Sequence, residues 1–347
     1  MRKDSLSKSG KRRGFVSVVS PFYNETDIIV TAATRMIESL NRGFADWEFI
    51  LVDDGSTDDS LDKLKGCISE LGNPKIKVLS YQPNMGRGRA LKTGIDAASA
   101  DIIITTEADL SWGEDIVERL HDALADYPDR DFVIASPHLA EGGFNEVPFS
   151  RVCLSQGGNR LIGWFFDSGV SMHTGMTRAY RRSVIQPLKI TSYDKEFHLE
   201  VLLKLRTLGY RVAEIPTVLS WEVRRSKGTI QPKSNLFTRR MMRTISSHLL
   251  FLAIGQPMRY FGAVSVITML TAIGFVFAGL WNFVTGGVAA NFILMAGLLA
   301  LFSVVFLGFS VVFTQLRELS AASWSDGKGS AADHMPVRAW QLEKISK

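Results

Sequence analysis

Ile102-Ile103-Ile104-Thr105-Thr106-Glu107-Ala108-Asp109 is the stretch from which the fold can be read. Four residues suited to a buried strand run straight into two carboxylates spaced one apart. In an open α/β sheet, ligands bind outside the carboxyl ends of the strands, and Glu107 and Asp109 fall at such an end. Alternate residues of an extended segment point the same way, so both side chains can face one cleft. Two hard oxygen ligands suit Mg²⁺ or Mn²⁺, cations that keep waters and share their remaining sites with substrate phosphates. The competing reading is that Asp109 caps the next helix and Glu107 is merely solvated.

Outward from this stretch, strand and helix signals alternate. Compact β-favouring runs occupy 15–20, 47–52, 75–79, 132–135 and 212–219. Ile28, Ile29, Ala32, Ala33, Met36, Ile37 and Leu40 recur at helical spacing and predict a helix over 27–40. Further helices are predicted over 84–98, after a glycine-rich turn, and over 114–125 and 196–208. Such alternation argues a parallel, doubly wound sheet with crossover helices. Between 138 and 177 seven glycines interrupt the pattern, leaving a mobile loop or a plain connection as equal expectations.

At 347 residues there is room for two domains. Hydrophobic content of 46% and mean hydropathy of +0.08 conceal a split. Residues 260–316 contain no Asp, Glu, Lys or Arg. A bilayer span takes roughly 20 apolar residues, so two spans are predicted, 260–284 and 291–313. The net charge of +5 is partly carried by Arg2, Lys3, Lys8, Lys11, Arg12 and Arg13, and by Arg239, Arg240, Arg243 and Arg259 before the first span. Basic clusters beside a membrane segment favour anionic lipid by about 1 kcal/mol per residue. No stacking platform or recognition motif accompanies the charge, which argues against nucleic acid. The positive-inside rule places both ends of the hairpin, and the preceding domain, on the cytosolic face of a two-pass membrane protein. Cys67 and Cys153 form no ligand or disulfide pattern, as suits a reducing compartment. The expected organisation is a basic flexible tail (1–13), a catalytic α/β domain (14–233), a juxtamembrane amphipathic helix region (234–258), two transmembrane helices (259–316) and a polar C-terminal tail (317–347).

Four motifs fall at one end of the expected sheet: Pro21-Phe22-Tyr23-Asn24-Glu25; Val52-Asp53-Asp54-Gly55-Ser56-Thr57-Asp58; Asn84-Met85-Gly86-Arg87-Gly88-Arg89-Ala90-Leu91-Lys92-Thr93-Gly94; and Thr106-Glu107-Ala108-Asp109. A dinucleotide fingerprint is excluded, because position 91 is Leu and the glycine turn follows the third strand rather than the first. Taken in order over about 15–225, the motifs resemble those of the family-2 glycosyltransferases, with their GT-A nucleotide-sugar-binding fold. With the membrane hairpin added, the chain looks like the polyprenyl-phosphate branch, which includes dolichyl-phosphate mannose and glucose synthases.

The resemblance implies an inverting transfer of a hexose or N-acetylhexosamine from a UDP- or GDP-sugar to a polyprenyl phosphate or other lipid acceptor. It implies Mg²⁺ or Mn²⁺ on Glu107 and Asp109, a bacterial inner-membrane setting, and leaves a homo-oligomer open. The nucleotide sugar would be bound by Pro21, Tyr23, Glu25, Asp53, Asp54, Arg87, Lys92, Ala108, Arg225 and Lys227. Asp109, Arg178 and Glu200 would serve catalysis, Arg178 by holding acceptor phosphate. Several of these have bland alternatives. Glu200 could simply pair with Lys204 or Arg206, Arg225 and Lys227 could be a solvated basic loop, and His198 is expected to be structural. The chain also departs from the family pattern. Glu107 stands where Asp is usual, the family's aspartate is missing from the stretch His173-Thr174-Gly175-Met176-Thr177-Arg178, with Asp167 too far upstream to replace it, and Ser136-Pro137-His138 lacks an arginine.

Overall fold

The computed structural model describes residues 12–109, 111–166, 169–194, 196–220, 256–321 and 338–340. Two units are distinguished: 1–159 with 169–232 and 325–347, and 160–168 with 233–324. Expectations for Arg225, Lys227 and the juxtamembrane helix lie outside the described residues.

The first unit is built on a mostly parallel α/β sheet. Its strands are β1 (Arg13–Phe22), β2 (Phe44–Asp53), β3 (Ile76–Ser80), β4 (Ile102–Thr105), β5 (Phe132–Ser136), β7 (Arg178–Arg181), β8 (Val212–Pro216) and β10 (Arg338–Trp340), in the order β10-β3-β2-β1-β4-β7-β5-β8. Two short strands, β6 (Gly143–Asn145) and β9 (Val218–Ser220), pair separately. β3, β2, β1 and β4 are mutually parallel, as are β5 and β8. β7 runs antiparallel between β4 and β5, and β10 antiparallel to β3. The chain therefore winds outward from β1 to β3 and returns to β4 on the other side of β1. That reversal is the switch point at which open α/β sheets bind ligands.

Central strands covered on both faces read as continuous apolar runs. Val16, Val18, Val19, Phe49, Ile50, Leu51, Val52, Ile103 and Ile104 are all buried. The helix α1 (Ile29–Gly43) buries Ile29, Ala32, Ala33, Met36, Ile37 and Leu40, one face of a 3.6-residue period. α2 (Ser60–Leu71), α3 (Arg87–Asp96), α4 (Ile116–Asp126) and α7 (Phe197–Thr207) complete the crossovers, with a single-turn α6 (Arg182–Ile185) after β7.

Three parts differ from the sequence expectation. The glycine-rich 138–177 region contains an 18-residue helix, α5 (Phe149–Phe166). The short, polar β7 is inserted against β4 and β5, a non-local pairing without local signal. β1 begins at Arg13, held by Glu118 and Asp122, and the expected polar tail contributes β10.

The second unit contains α8 (Pro257–Val284) and α9 (Ala290–Ala321). Both are long and apolar enough to cross a membrane, with mean hydropathy of 2.2 and 2.6. Only 17% and 11% of their apolar windows are buried by protein, unlike the core helices of a soluble domain. Ser265 and Ser303 join the two helices, each hydroxyl donating to the other's carbonyl at 2.8 Å. Interhelical polar bonds of this kind are worth about 0.6–2 kcal/mol in lipid.

Candidate functional site

A cleft opens at the carboxyl ends of β1, β2 and β4, lined by Pro21, Phe22, Tyr23, Glu25, Asp54, Arg87, Glu107, Ala108, Asp109 and Met176. Eight of these are residues expected from sequence. The turn after β4 is set by Thr106, whose amide donates to the Val19 carbonyl at 3.0 Å while its own carbonyl accepts from the Ser20 hydroxyl. Asp109 is buried and accepts from the Ser111 amide at 3.0 Å. Glu107 Oε2 accepts from the Ser111 hydroxyl (2.8 Å) and the Trp112 indole (3.1 Å), while Oε1 lies 3.9 Å from the Arg87 guanidinium. Glu107 thus meets the Arg87 cation at the cleft that Asp109 also lines.

The loops after β1 and β2 are stitched together. Asn24, in the left-handed region at φ +54°, accepts from the Thr57 amide and donates its own amide to the Ser56 hydroxyl. The Glu25 amide donates to the Ser60 hydroxyl, and Asp58, ahead of the N-cap Asp59, accepts from the Ser60 amide at the start of α2. Tyr23 stands 42% exposed beside this joint, its ring open to a ligand.

Asp53 and Asp54 divide the work expected of either. Asp54 Oδ1 accepts from the Tyr81 hydroxyl (2.8 Å) and from the Met85 and Gly86 amides (3.0 and 3.1 Å), and Oδ2 accepts from Asn84. It therefore latches the glycine turn onto β2. Asp53 is buried and does not line the cleft. Its Oδ1 accepts from the Ser56 amide, and its Oδ2 has no hydrogen-bond partner among the described residues. Burial raises both carboxyls above their ordinary value, against the pull of these hydrogen bonds.

Residues 17–188 match glycosyl transferase family 2. The chain carries a family-2 glycosyltransferase domain. An undecaprenyl-phosphate 4-deoxy-4-formamido-L-arabinose transferase of Serratia proteamaculans (strain 568) is 29% identical over 215 residues, covering 58% of this chain and 58% of that protein. The protein of the same description from Edwardsiella ictaluri (strain 93-146) is 29% identical over 202 residues, covering 58% and 59%. The chain therefore spans less than two thirds of the length of these curated relatives. Among solved structures, glucosyl-3-phosphoglycerate synthase from Mycobacterium tuberculosis, in complex with Mn²⁺, uridine diphosphate and phosphoglyceric acid, is 19% identical with a TM-score of 0.46 over 60% of this chain and 69% of that one.

Within the glycosyltransferase domain, three further expected site residues, besides Asp53, are placed away from the cleft. Arg178 has no exposed surface, and it donates to the carbonyls of Gly175 (2.8 Å), His198 (3.1 Å) and His173 (2.6 Å). It holds the turn before β7 and is not available to an acceptor phosphate. Glu200 is 3% exposed and does not line the cleft. Burial alone would raise its carboxyl, but Lys204 at 2.6 Å and the Ser192 and Thr191 donors outweigh that and hold it below the ordinary value. Lys92 is paired with Asp96 one helical turn on, at 2.5 Å, and does not line the cleft. His198 is buried, its ring against Phe197, with its imidazole kept neutral by burial.

Sequence reasoning missed five contributors. Phe22 and Met176 line the cleft, Tyr81 orients Asp54, and Trp112 with Ser111 orients Glu107. Tyr81 had a signal, since it ends the third strand at the same edge as the motifs. Ser111 and Trp112 directly follow the carboxylate pair. Met176 had none, because β7 reaches the cleft only through non-local pairing.

Proposed function

We propose that this protein is a metal-dependent, membrane-anchored glycosyltransferase that moves a hexose or N-acetylhexosamine from a UDP- or GDP-sugar to polyprenyl phosphate, with inversion. The carrying observation is the convergence of Tyr23, Glu25, Arg87, Glu107 and Asp109 on one cleft at the switch point of a parallel sheet. The acceptor class is supported by the curated relatives, whose names specify undecaprenyl phosphate. The hairpin α8–α9 supports a two-pass anchor, with the catalytic domain on the cytosolic face of a bacterial inner membrane.

Asp109 and Glu107 fit a divalent cation. Among the described residues no group of three or more His, Cys, Asp or Glu converges on one point, and a two-carboxylate set suits Mg²⁺ or Mn²⁺ whose other sites go to phosphate and water. Such a cation supplies charge neutralisation at the leaving diphosphate. Arg87 adds a guanidinium at the same place, where preorganised positive charge favours the transition state. Tyr23 offers its ring to the nucleobase.

In the transfer, an acceptor phosphate oxygen forms a bond to the anomeric carbon as the bond from that carbon to the diphosphate oxygen breaks. The electron pair leaves with the nucleoside diphosphate. A phosphate nucleophile is already ionised at neutral pH and needs positioning more than a base. This agrees with Glu200, the candidate base for a lipid-hydroxyl acceptor, being occupied by Lys204, Thr191 and Ser192.

The test is transfer in detergent from a radiolabelled UDP- and GDP-sugar panel to added polyprenyl phosphate, with Mg²⁺, Mn²⁺ or chelator. Labelled lipid that needs both metal and Asp109 is the expected result. Labelled lipid formed only with native lipid extract would move the hydroxyl acceptor ahead. No donor consumption under any condition, even by hydrolysis, would overturn the enzymatic reading.

A further inference from the structure

A second network, outside the residues that line the cleft, packs against the glycine turn that carries Arg87. Glu200, in the first turn of α7, accepts at Oε1 from the Thr191 amide (2.9 Å), the Thr191 hydroxyl (3.0 Å) and Lys204 (2.6 Å), and at Oε2 from the Ser192 amide (2.7 Å). A carboxylate offers about four lone-pair sites, so this one is filled. Lys204 also donates to the Lys189 carbonyl at 2.7 Å, closing the base of the loop.

The loop so held presses on the glycine turn. The Tyr193 carbonyl accepts from the Arg89 amide at 3.1 Å, and the Arg89 guanidinium lies 5.9 Å from the Tyr193 ring centroid. Gly86 has φ +100°, and a Cβ there would come within 2.5 Å of the Tyr193 carbonyl oxygen. At Gly88 a Cβ would come within 2.8 Å of both the Tyr193 carbonyl carbon and the Phe197 Cβ. Only glycine allows this approach. Asp54 takes the Met85 and Gly86 amides from the other flank. Arg87 sits between the two glycines with its side chain lining the cleft.

We propose that Glu200 is a positioning residue: locked to Lys204, it fixes the 191–194 loop against Gly86 and Gly88 and so holds the Arg87 guanidinium where the sugar donor's diphosphate binds. The inference rests on the donor reading above for the meaning of Arg87, but the clamp itself is a property of the fold and can be measured without turnover.

The experiment uses the full chain in detergent and two measurements: backbone hydrogen exchange, and binding of UDP and of GDP with Mn²⁺. Glu200→Gln is expected to raise exchange over 85–90 and 191–194 by about 10-fold or more, a local opening, while exchange in β1 and β2 is unchanged. It is expected to weaken nucleotide binding by about 10-fold, close to one decade of free energy, and to raise the donor KM more than it lowers kcat. Arg87→Ala should weaken binding similarly without changing exchange. The double variant should bind no worse than Arg87→Ala alone, because Glu200 acts through that side chain.

Wild-type exchange over 85–90 in Glu200→Gln, or additive losses in the double variant, would overturn the proposal. If Glu200→Gln does not fold, Gly88→Ala disturbs the same contact from the turn side and is read by the same criteria. Should Arg87→Ala bind both nucleotides as the parent does, the donor reading fails, while the exchange result still decides whether the clamp exists.

Discussion

Two sets of charged residues in the glycosyltransferase domain look alike in sequence and behave oppositely in the fold. Arg87, Glu107 and Asp109 line an open cleft. Arg178, Glu200 and Lys204 are buried, and their polar atoms meet backbone carbonyls, backbone amides and each other. The first set lies just beyond strand ends or at the start of α3, on the walls of the cleft. The second lies on β7 and α7, which are enclosed on several sides. The lesson is that charge near a motif marks a binding group only where folding leaves it on the wall of a cleft. A buried polar group must be satisfied, since leaving it bare costs about 1–3 kcal/mol.

The largest difference should appear between Asp109→Ala and Arg178→Met. Asp109→Ala is expected to lower transfer by about 10³-fold or more, the loss of several kcal/mol of charge neutralisation, with a smaller fall in melting temperature from the Ser111 amide left without its acceptor. Arg178→Met should do the reverse. Three carbonyls left without hydrogen-bond donors, at about 1 kcal/mol or more each, cost about 3 kcal/mol. In a domain of this size that lowers the melting temperature by roughly 6–12 °C, while nucleotide affinity of the folded fraction is kept. If Arg178→Met folds normally and loses only acceptor affinity, the division between the two sets collapses.

Acidification gives a smaller separation. Asp53 and Asp54 have carboxyls raised above the ordinary 3.8, so they take up protons at a higher pH than a solvated aspartate does. Protonating them does not destabilise the fold, because a raised carboxyl contributes stability below its unfolded value and loses it as pH rises. Glu48 and Glu200 are depressed below the ordinary 4.5, and their stabilisation is lost only as pH falls through their lower folded values. Nucleotide binding should therefore weaken at a higher pH than the one at which circular dichroism reports unfolding. Coincident transitions would show that the two sets are not electrostatically distinct.

The smallest effect belongs to Lys92→Ala. The Lys92–Asp96 pair is a partly exposed i,i+4 contact worth about 0.3–0.5 kcal/mol. The substitution should shift the melting temperature by no more than about 2 °C and leave nucleotide affinity unchanged. A large loss of affinity would return Lys92 to the phosphate site.

How far the molecule can be read from its residues differs by element. The parallel core was legible because runs such as Ile102–Thr105 and 47–52 are apolar on both faces, the mark of a doubly covered strand. α1 was legible from its period. α5 was not, because Gly157, Gly158 and Gly163 lower helix propensity by about 1 kcal/mol each. β7 was not, because four residues, Arg178–Arg181, carry too little pattern to announce an antiparallel insertion.

The sequence by itself determined the α/β class, the order of the strand-end motifs, the carboxylate pair Glu107 and Asp109, and the two apolar helices. Each depends on local period, composition or spacing, which survive without tertiary context. Only the tertiary structure decided which charged groups remain open. It turned Asp54 inward onto the glycine turn, filled Glu200 with Lys204, Thr191 and Ser192, and buried Arg178 among three carbonyls. Those outcomes depend on partners far away in the chain, and a side chain's chemistry is set by what its hydrogen-bonding atoms finally meet.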